Sequence, residues 1–576
     1  MADAKLAWQL TEQVTRLRQR QTGPLILELD LTDGLPEAPV TDPLSAIMSR
    51  RKMRLPDIIE GLRRARQDDR VRALVVKVGG GRIGLARMQE IREAVSGFRE
   101  SGKLTMAWAE TFGEFTQGNV PYYLATAFDR IYLQPSGTLG LTGIAVEQVF
   151  LHDALEKFGI GFASAKRYEY KSAADNLTER GFTGPAREAS MRLVASISEQ
   201  ITAAITERRG KPAEQARALL DRGPFLAADA LAEGLVDALG YRDEVYADVR
   251  KEAGADAILQ YVARYQRAHA LVQRARRLPN PRERFVAVIY ASGPIRQGRS
   301  SRSPLGGSAM GSDTVAAALR SATSDERVRA VLLRVNSPGG SAIASDTIWR
   351  EVVRTRAAGK PVVVSMSDVA ASGGYYISMA ADVIVAQPGT LTGSIGVIMG
   401  KPVLEEAFGR IGITTDSVSV GHGATMFAPT HPFSEDEWQR INVWLDAIYR
   451  DFTEKVASGR RMTVEQVDEI ARGRVWTGAD GAQNGLVDEL GGMAAAADIA
   501  RRRAGLPADA PLRVYPRLTP LDQLRPPESS ESRPAAAAAR LDLGFADAWG
   551  PAWRFAAQAG LPPYGPLMLP GRWIIN

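Results

Sequence analysis

The feature that most constrains this chain is that it repeats itself. Asp68-Asp-Arg-Val-Arg-Ala-Leu-Val-Val-Lys77 corresponds to Asp325-Glu-Arg-Val-Arg-Ala-Val-Leu-Leu-Arg334. Farther on, Tyr122-Tyr-Leu-Ala125 matches Tyr375-Tyr-Ile-Ser378, Asp129 matches Asp382, and Gln134-Pro135 matches Gln387-Pro388. Gly140-Leu-Thr-Gly-Ile144 matches Gly393-Ser-Ile-Gly-Val397, and from the tyrosine pair onward every match shares one offset of 253 residues. So long a period means two copies of a domain, because solenoid repeats run at about 20–50 residues. The length agrees: 576 residues exceed the roughly 250–300 at which a single core stops growing.

Each copy opens on an apolar strand (Pro24-Leu-Ile-Leu-Glu-Leu29; Phe285-Val-Ala-Val-Ile-Tyr290). A helix follows, then a buried strand (Ala73 to Val78; Ala330 to Val335), a glycine-rich turn, and a helix ending near Gly102 or Gly359. Pro361-Val-Val-Val-Ser-Met366 is the next strand of the second copy. Apolar strands alternating with amphipathic helices predict βαβ units on a mostly parallel sheet, an α/β class. The expected divisions are an amphipathic N-terminal helix over 1–22, a first domain over 23–260, a basic linker over 261–284, a second domain over 285–505, and a Pro/Ala-rich tail over 506–576. The Ser/Gly-rich loop from Gly298 to Asp313 is expected to be mobile.

Several chemistries are excluded early. The chain has no cysteine, which removes disulfides, thiol nucleophiles and Cys-ligated metals together. Its four histidines, His152, His269, His422 and His431, show no metal-ligand spacing, so no metal is expected. A net charge of +6 over this length predicts no nucleic-acid partner. Arginines crowd between Arg264 and Arg284, as in a solvated helix entering a linker or a contact with anionic headgroups. No run approaches the ~18 apolar residues of a membrane span, and no signal peptide is visible. Leu6, Leu10, Val14 and Leu17 fall on one helical face, either packed on the domain or lying at a membrane surface, so a cytoplasmic or peripherally membrane-associated protein is expected.

The duplication makes residues informative where the copies disagree. Val369-Ala-Ala-Ser-Gly-Gly-Tyr375 stands where the first copy has Thr116-Gln-Gly-Asn-Val-Pro-Tyr122. Ser372 then opens a helix running through Tyr376 and Met379, its hydroxyl pointing out of a tight turn toward open space, as either a nucleophile or an N-cap. Asn336-Ser-Pro-Gly-Gly-Ser341 follows a strand, where glycine N–H groups can face a ligand, although a structural turn explains them equally well. A nucleophilic serine needs a base. No histidine is placed for one, but a lysine kept neutral by burial can serve. The candidate is Lys171, in Lys166-Arg-Tyr-Glu-Tyr-Lys-Ser-Ala-Ala174; the same offset leads from it to Ala424. One copy keeps the lysine without the serine and the other keeps the serine without the lysine, as expected of one site built from both.

Asn-Ser-Pro-Gly-Gly-Ser, Ala-Ala-Ser-Gly-Gly-Tyr, Leu-Thr-Gly-Ser-Ile-Gly and Tyr-Lys-Ser-Ala together resemble the signal peptide peptidase A (protease IV) family in its long, duplicated form, from about residue 24 to 500. The resemblance implies a tandem duplication of a ClpP/crotonase-like domain, with parallel sheets of ββα repeats and helical extensions. It implies Ser372 as nucleophile, Lys171 as general base, Ser394 as the residue orienting the lysine, and an oxyanion hole at Gly339 with Gly340 and Gly373. It further implies peptide substrates such as cleaved signal peptides, a bowl-shaped homotetramer, and no cofactor. Long-form members are typically anchored by an N-terminal membrane helix, for which this sequence shows no candidate. The rival readings are a crotonase-type acyl-CoA enzyme, which would need acidic groups at the site, and a catalytically silent membrane-associated scaffold.

Overall fold

A computed structural model describes residues 23–32, 34–37, 53–80, 83–276, 280, 282–303 and 307–516, with two short strands at 540–541 and 567–568. The stretch expected as the N-terminal helix, and most of the tail, lie outside the described residues.

In the first half, strands β1 (Leu25–Asp30), β2 (Val71–Lys77), β3 (Leu104–Ala109) and β4 (Arg130–Leu133) form a parallel sheet. Helices α1 (Leu55–Ala65) and α2 (Leu85–Arg99) connect them. Strand β5 (Gly161–Arg167) leaves this sheet, helix α3 (Gly184–Arg209) follows, and β6 (Ala238–Leu239) and β7 (Ile258–Tyr261) close the two edges, giving the order β6-β4-β3-β2-β1-β7. Helix α4 (Arg242–Ala253) covers one face with Val245, Tyr246 and Val249. The stretch read as a linker begins as helix α5 (Val262–Arg276), which packs beside α1 and buries Val262 and Tyr265 in the first core.

The second half repeats the plan. Its strands are β8 (Phe285–Ser292), three short strands β9 (Ile295–Arg296), β10 (Ser301–Ser303) and β11 (Gly307–Gly311), then β12 (Val328–Ser337), β13 (Gly339–Gly340), β14 (Val362–Ala371), β15 (Val383–Ala386), β16 (Leu391–Gly393), β17 (Val397–Val403), β18 (Val475–Thr477) and β19 (Leu512–Val514). The main sheet runs β18-β16-β14-β12-β8-β19, parallel except where β18 joins. Both faces are covered, which is why β12 carries the continuous apolar run Ala330–Leu333. Val331, Leu333 and Val335 enter one core cluster while Ala330 and Leu332 enter the opposite one, the period of two that a strand imposes. The loop expected to be mobile instead supplies β10 and β11, because residues 301–303 pair antiparallel with 307–309. Its helices include α6 (Ala342–Ala357), α7 (Gly373–Tyr376), α8 (Glu435–Arg460) and α9 (Met493–Arg503). The described tail strands β20 (Arg540–Leu541) and β21 (Leu567–Met568) join opposite edges of the small sheet β20-β10-β11-β9-β13-β21.

The halves are interlocked. Strand β5 of the first pairs antiparallel with β17 of the second over seven positions, from Gly161↔Val403 to Arg167↔Val397. Arg334, fully buried near the end of β12, pairs with two first-half carboxylates, Glu37 and Glu90, and donates to Ser365 Oγ at 2.7 Å. Breaking such a buried network by removing one partner costs about 3–5 kcal/mol, because it strands an uncompensated charge. Glu37 also accepts from Ser367 Oγ at 2.7 Å, Glu90 accepts from the Met493 N–H at 2.9 Å, and Arg87 pairs with Asp368. First-half side chains thus grip the two strands, β12 and β14, whose ends carry the candidate site.

Candidate active site

Strand β14 delivers Ser372 directly after Ala371, and the backbone bends there to φ 54° and ψ −114°. A non-glycine residue rarely sits at positive φ, and such strain tends to mark functional positions. The turn is held by the Ser372 N–H donating to the Gly393 carbonyl and by its own carbonyl accepting from Tyr376 N, both at 2.8 Å. Two sequence expectations need correcting. The helix behind Ser372 is a single turn, Gly373–Tyr376, too short for a substantial dipole. The hydroxyl also does not face open space: Ser372 is wholly buried, because the first half closes over it. Its side chain makes no capping bond, so the N-cap alternative falls away.

Lys171 covers Ser372. Strand β5 carries the chain across to β17, and a turn after Arg167 brings Lys171 back toward the end of β14. The second half fixes that turn: the Arg472 carbonyl accepts from Tyr168 N and Tyr170 N at 3.3 and 3.2 Å, and its guanidinium pairs with Glu169 at 2.8 Å. Lys171 Nζ lies 2.8 Å from Ser372 Oγ, 3.0 Å from Ser394 Oγ and 3.0 Å from the Ser394 carbonyl. Its side chain is fully buried, and no carboxylate among the described residues pairs with it. Burial alone therefore pushes its pKa well below the ordinary lysine range. A neutral amine has two N–H donors and one lone pair. Three contacts satisfy it: donation to Ser394 Oγ and to the Ser394 carbonyl, and acceptance of the Ser372 hydroxyl proton.

Ser394, the first residue after β16, is also buried and at positive φ, 51°. Its N–H donates to the Arg474 carbonyl at 2.7 Å, which turns both of its oxygens toward Lys171. Gly339 (φ 105°) and Gly340 (φ 152°) form β13, and both conformations disfavour a side chain. A Cβ on Gly373 would come 3.0 Å from Gly339 Cα and 3.1 Å from Gly340 N, so all three glycines meet beside Ser372. Gly373 opens α7, where an N–H has no intrahelical acceptor. The Gly339 N–H is engaged at 3.2 Å by Ser337 Oγ, itself donating to the Gly293 carbonyl at 2.8 Å.

The structure thus brings together all six residues singled out from the sequence. It adds Gly473, whose α-carbon (φ 92°) presses on the lysine: a Cβ there would fall 2.6 Å from both Cα and Cβ of Lys171. Among the described residues one group, His152, Asp153 and Glu156, is close enough to hold a cation, but Arg180 already pairs with Asp153 at 2.6 Å and Glu156 at 3.7 Å.

The profile of peptidase family S49 matches residues 98–256 and 354–507, once in each half. Protease 4 of Salmonella typhi is 34% identical over 458 residues, 77% of this chain and 72% of that one. Protease 4 of Haemophilus influenzae is 32% identical over 488 residues, 81% and 77% respectively. The chloroplastic serine protease SPPA of Arabidopsis thaliana is 31% identical over 455 residues, 79% of this chain but only 66% of the relative's length. A solved structure of a ClpP1 point mutant from Listeria monocytogenes aligns at TM-score 0.23 and 16% identity, over 35% of this chain and 90% of that one, a likeness too weak to carry an argument.

Proposed function

The chain belongs to peptidase family S49 and is a serine peptidase, and from that premise we propose that Ser372 and Lys171 are its catalytic dyad. The observation that carries this reading is the fully buried, hydrogen-bonded amine 2.8 Å from Ser372 Oγ, whose pKa burial lowers well below the ordinary lysine range. Lys171 Nζ takes the hydroxyl proton as Oγ attacks the carbonyl carbon of the scissile peptide bond. The oxyanion is received by the Gly373 N–H and by that of Gly339, which exchanges Ser337 Oγ for the stronger, charged acceptor; Gly340 shapes the same turn. The lysine ammonium then protonates the leaving amine, the C–N bond breaks, and an acyl-Ser372 remains. Water attacks the ester as Lys171 again accepts a proton; the ammonium returns it to Ser372 Oγ as the C–Oγ bond breaks, and the acid product departs. Ser394 holds two of the three directions around Nζ, leaving the lone pair to the serine. No step needs a cofactor or a metal. Fluorophosphonate labelling tests the reading: the wild-type chain should label at Ser372 and Lys171→Met should not. Equal labelling of both would remove the lysine from the mechanism.

Apolar peptides such as signal-peptide remnants are the proposed substrates, in line with a 173-residue match at 38% identity to a relative named putative signal peptide peptidase SppA, from Enterococcus faecium. A crotonase-type acyl-CoA reaction is disfavoured by the absence of a carboxylate beside the dyad among the described residues. The assembly is a closed homo-oligomer, proposed as a tetramer. At the repeat offset, β17 corresponds to residues 144–150 and β5 to residues 414–420. These two stretches carry no strand or helix and pair with no strand among the described residues, and they expose Val149, Val418 and Val420. Pairing 414–420 of one copy with 144–150 of the next would repeat the β5–β17 ribbon around a ring. Light scattering showing a fully active monomer would exclude it. Among the described residues, no helix is long and apolar enough to cross a membrane; peripheral contact remains part of the proposal through the arginines of α5.

A further inference from the structure

The residues that seat Lys171 and Ser394 are themselves held by a cluster of side chains outside the dyad. The segment Arg472-Gly-Arg474, which leads into β18, serves both with its backbone. The Arg472 carbonyl accepts from the N–H groups of Tyr168 and Tyr170, the Gly473 N–H donates to the Ile395 carbonyl at 2.7 Å, and the Arg474 carbonyl accepts from Ser394 N. With Arg472 at φ 56° and Gly473 at φ 92°, this stretch is not regular structure, and its two arginine side chains fix it. The Arg474 guanidinium forks onto Glu188 of α3 at 2.6 and 3.3 Å, and it lies over the rings of Tyr170 and Trp476, 5.0 and 4.3 Å from their centres. The Tyr170 hydroxyl donates to the same carboxylate at 2.8 Å. Arg472 repeats the pattern, pairing with Glu169 and Asp468 and covering the Tyr168 ring at 4.8 Å. Each arginine thus grips side chains just before Lys171 while its own carbonyl supports the lysine turn or Ser394. The first half has no such device. Gly234-Leu-Val-Asp237 matches Gly485-Leu-Val-Asp488 at an offset of 251 residues, which sets Asp221-Arg-Gly223 against Arg472-Gly-Arg474. The equivalence holds in space: a Cβ on Gly223 would fall 1.8 Å from the carbonyl oxygen of Leu141, the counterpart of Ser394. Neither arginine has a counterpart in the half without Ser372.

We propose that Arg474, clamped by Glu188 and Tyr170, is a positioning residue that fixes Lys171 and Ser394 at their working distances from Ser372. The proposal rests on the serine-peptidase dyad argued above. Position, rather than stability, is what such a cluster supplies. The Glu188 side chain is half exposed, and an ion pair open to solvent adds little to folding. A bidentate fork stacked on aromatic rings still fixes orientation, and a displacement of about 1 Å among reacting groups can cost about 100-fold in rate. None of the three side chains bonds to Lys171 Nζ or Ser372 Oγ, so the clamp acts through the backbone and on the chemical step.

The test uses the full chain, a short apolar fluorogenic peptide and a fluorophosphonate probe. Arg474→Met, which keeps the apolar stem and removes the fork, should lower kcat about 30-fold, leave KM within about twofold, and slow labelling of Ser372 in parallel. Its pH–rate profile should be displaced, because Ser394 no longer holds the amine as before. Glu188→Gln should give a loss of the same kind, about 10-fold, and Tyr170→Phe a smaller one. The double variant Arg474→Met, Glu188→Gln should be no slower than Arg474→Met, since both changes break one clamp. Arg474→Lys should recover part of the rate, keeping the charge but not the fork. Unchanged kcat and pH profile in Arg474→Met, a rise in KM alone, or a rate loss in both single variants matched by loss of folded protein would overturn the proposal and leave the dyad intact. Failure of the wild-type chain to label at Ser372 would overturn the dyad and this inference with it.

Discussion

Ser372 and Asn119 occupy the same place in the two halves, at the start of the short helix that follows the third strand of each main sheet, and both are fully buried. Asn119 spends its amide closing a loop: Nδ2 donates to the Gly143 carbonyl at 2.8 Å and Oδ1 accepts from Thr142 N at 3.2 Å. Ser372 spends nothing on its own half and offers its oxygen to a lysine from the other. The next pair behaves alike, with Leu141 a core residue where Ser394 presents two oxygens to Lys171. Lys171 is buried, whereas Ala424, its counterpart, is exposed. One copy has turned the shared loops into structure, and under the proposed mechanism the other keeps them for chemistry. Identical topology therefore does not make equivalent sites; what matters is which half's ribbon closes over which half's turn.

The strongest way to break this contrast is to attack the dyad. Ser372→Ala and Lys171→Arg should each lower kcat/KM by about 10⁴-fold or more, the arginine because a guanidinium cannot give up its proton. Wild-type activity should rise with pH, since the amine is a base only above its depressed pKa and is protonated below it. Substantial activity in Lys171→Arg, or a flat pH–rate profile, would end the argument. Gly473→Ala should come next, with a loss of about 100-fold in kcat, because its methyl must push the Lys171 backbone away from Ser372; a crystal structure of the variant would show the longer Nζ–Oγ separation. Ser394→Ala should cost roughly 10-fold and displace the pH profile, as the amine loses one hydrogen-bond partner but not its position. Lys171→Met should be inactive yet no less stable, higher by on the order of 1 kcal/mol at neutral pH. Unfolded lysine binds a proton that the buried amine refuses, so wild-type stability should climb with pH between the depressed and ordinary pKa values, and the variant should lose that slope in urea titrations. The smallest effect sharpens the comparison from the other side. Asn119→Ser should cost about 1–3 kcal/mol of stability and create no fluorophosphonate-reactive serine in the first half; labelling there would show that half is not silent.

Much of this was legible in the residues. The offset announced two α/β units, and the mutual loss of serine and lysine pointed to a shared site before any distance was known. What stayed hidden depends on half meeting half. Ser372 reads as an exposed turn residue because nothing local says that β5 will cross over and bury it. The helix after it reads as longer because Ile377 to Met379 suit a helix as well as the turns they form. Gly473 lies far from both dyad residues along the chain and stands in no motif, so only the close approach of Lys171 explains it. Arg334 aligns with Lys77, a half-buried partner of Glu110, and its burial between two carboxylates follows from docking rather than from sequence.

The placement of the dyad also has a consequence in time. Lys171 precedes Ser372 by 201 residues, so at about 5–20 residues per second the ribosome needs roughly 10–40 s to travel from base to nucleophile. Throughout that interval the nascent chain carries the proposed base with nothing to activate. Even when Ser372 emerges, β17 and the Gly473 turn, which seat the lysine, have yet to be made. Under the proposed mechanism, birth order by itself would delay the peptidase until most of its own chain has been made.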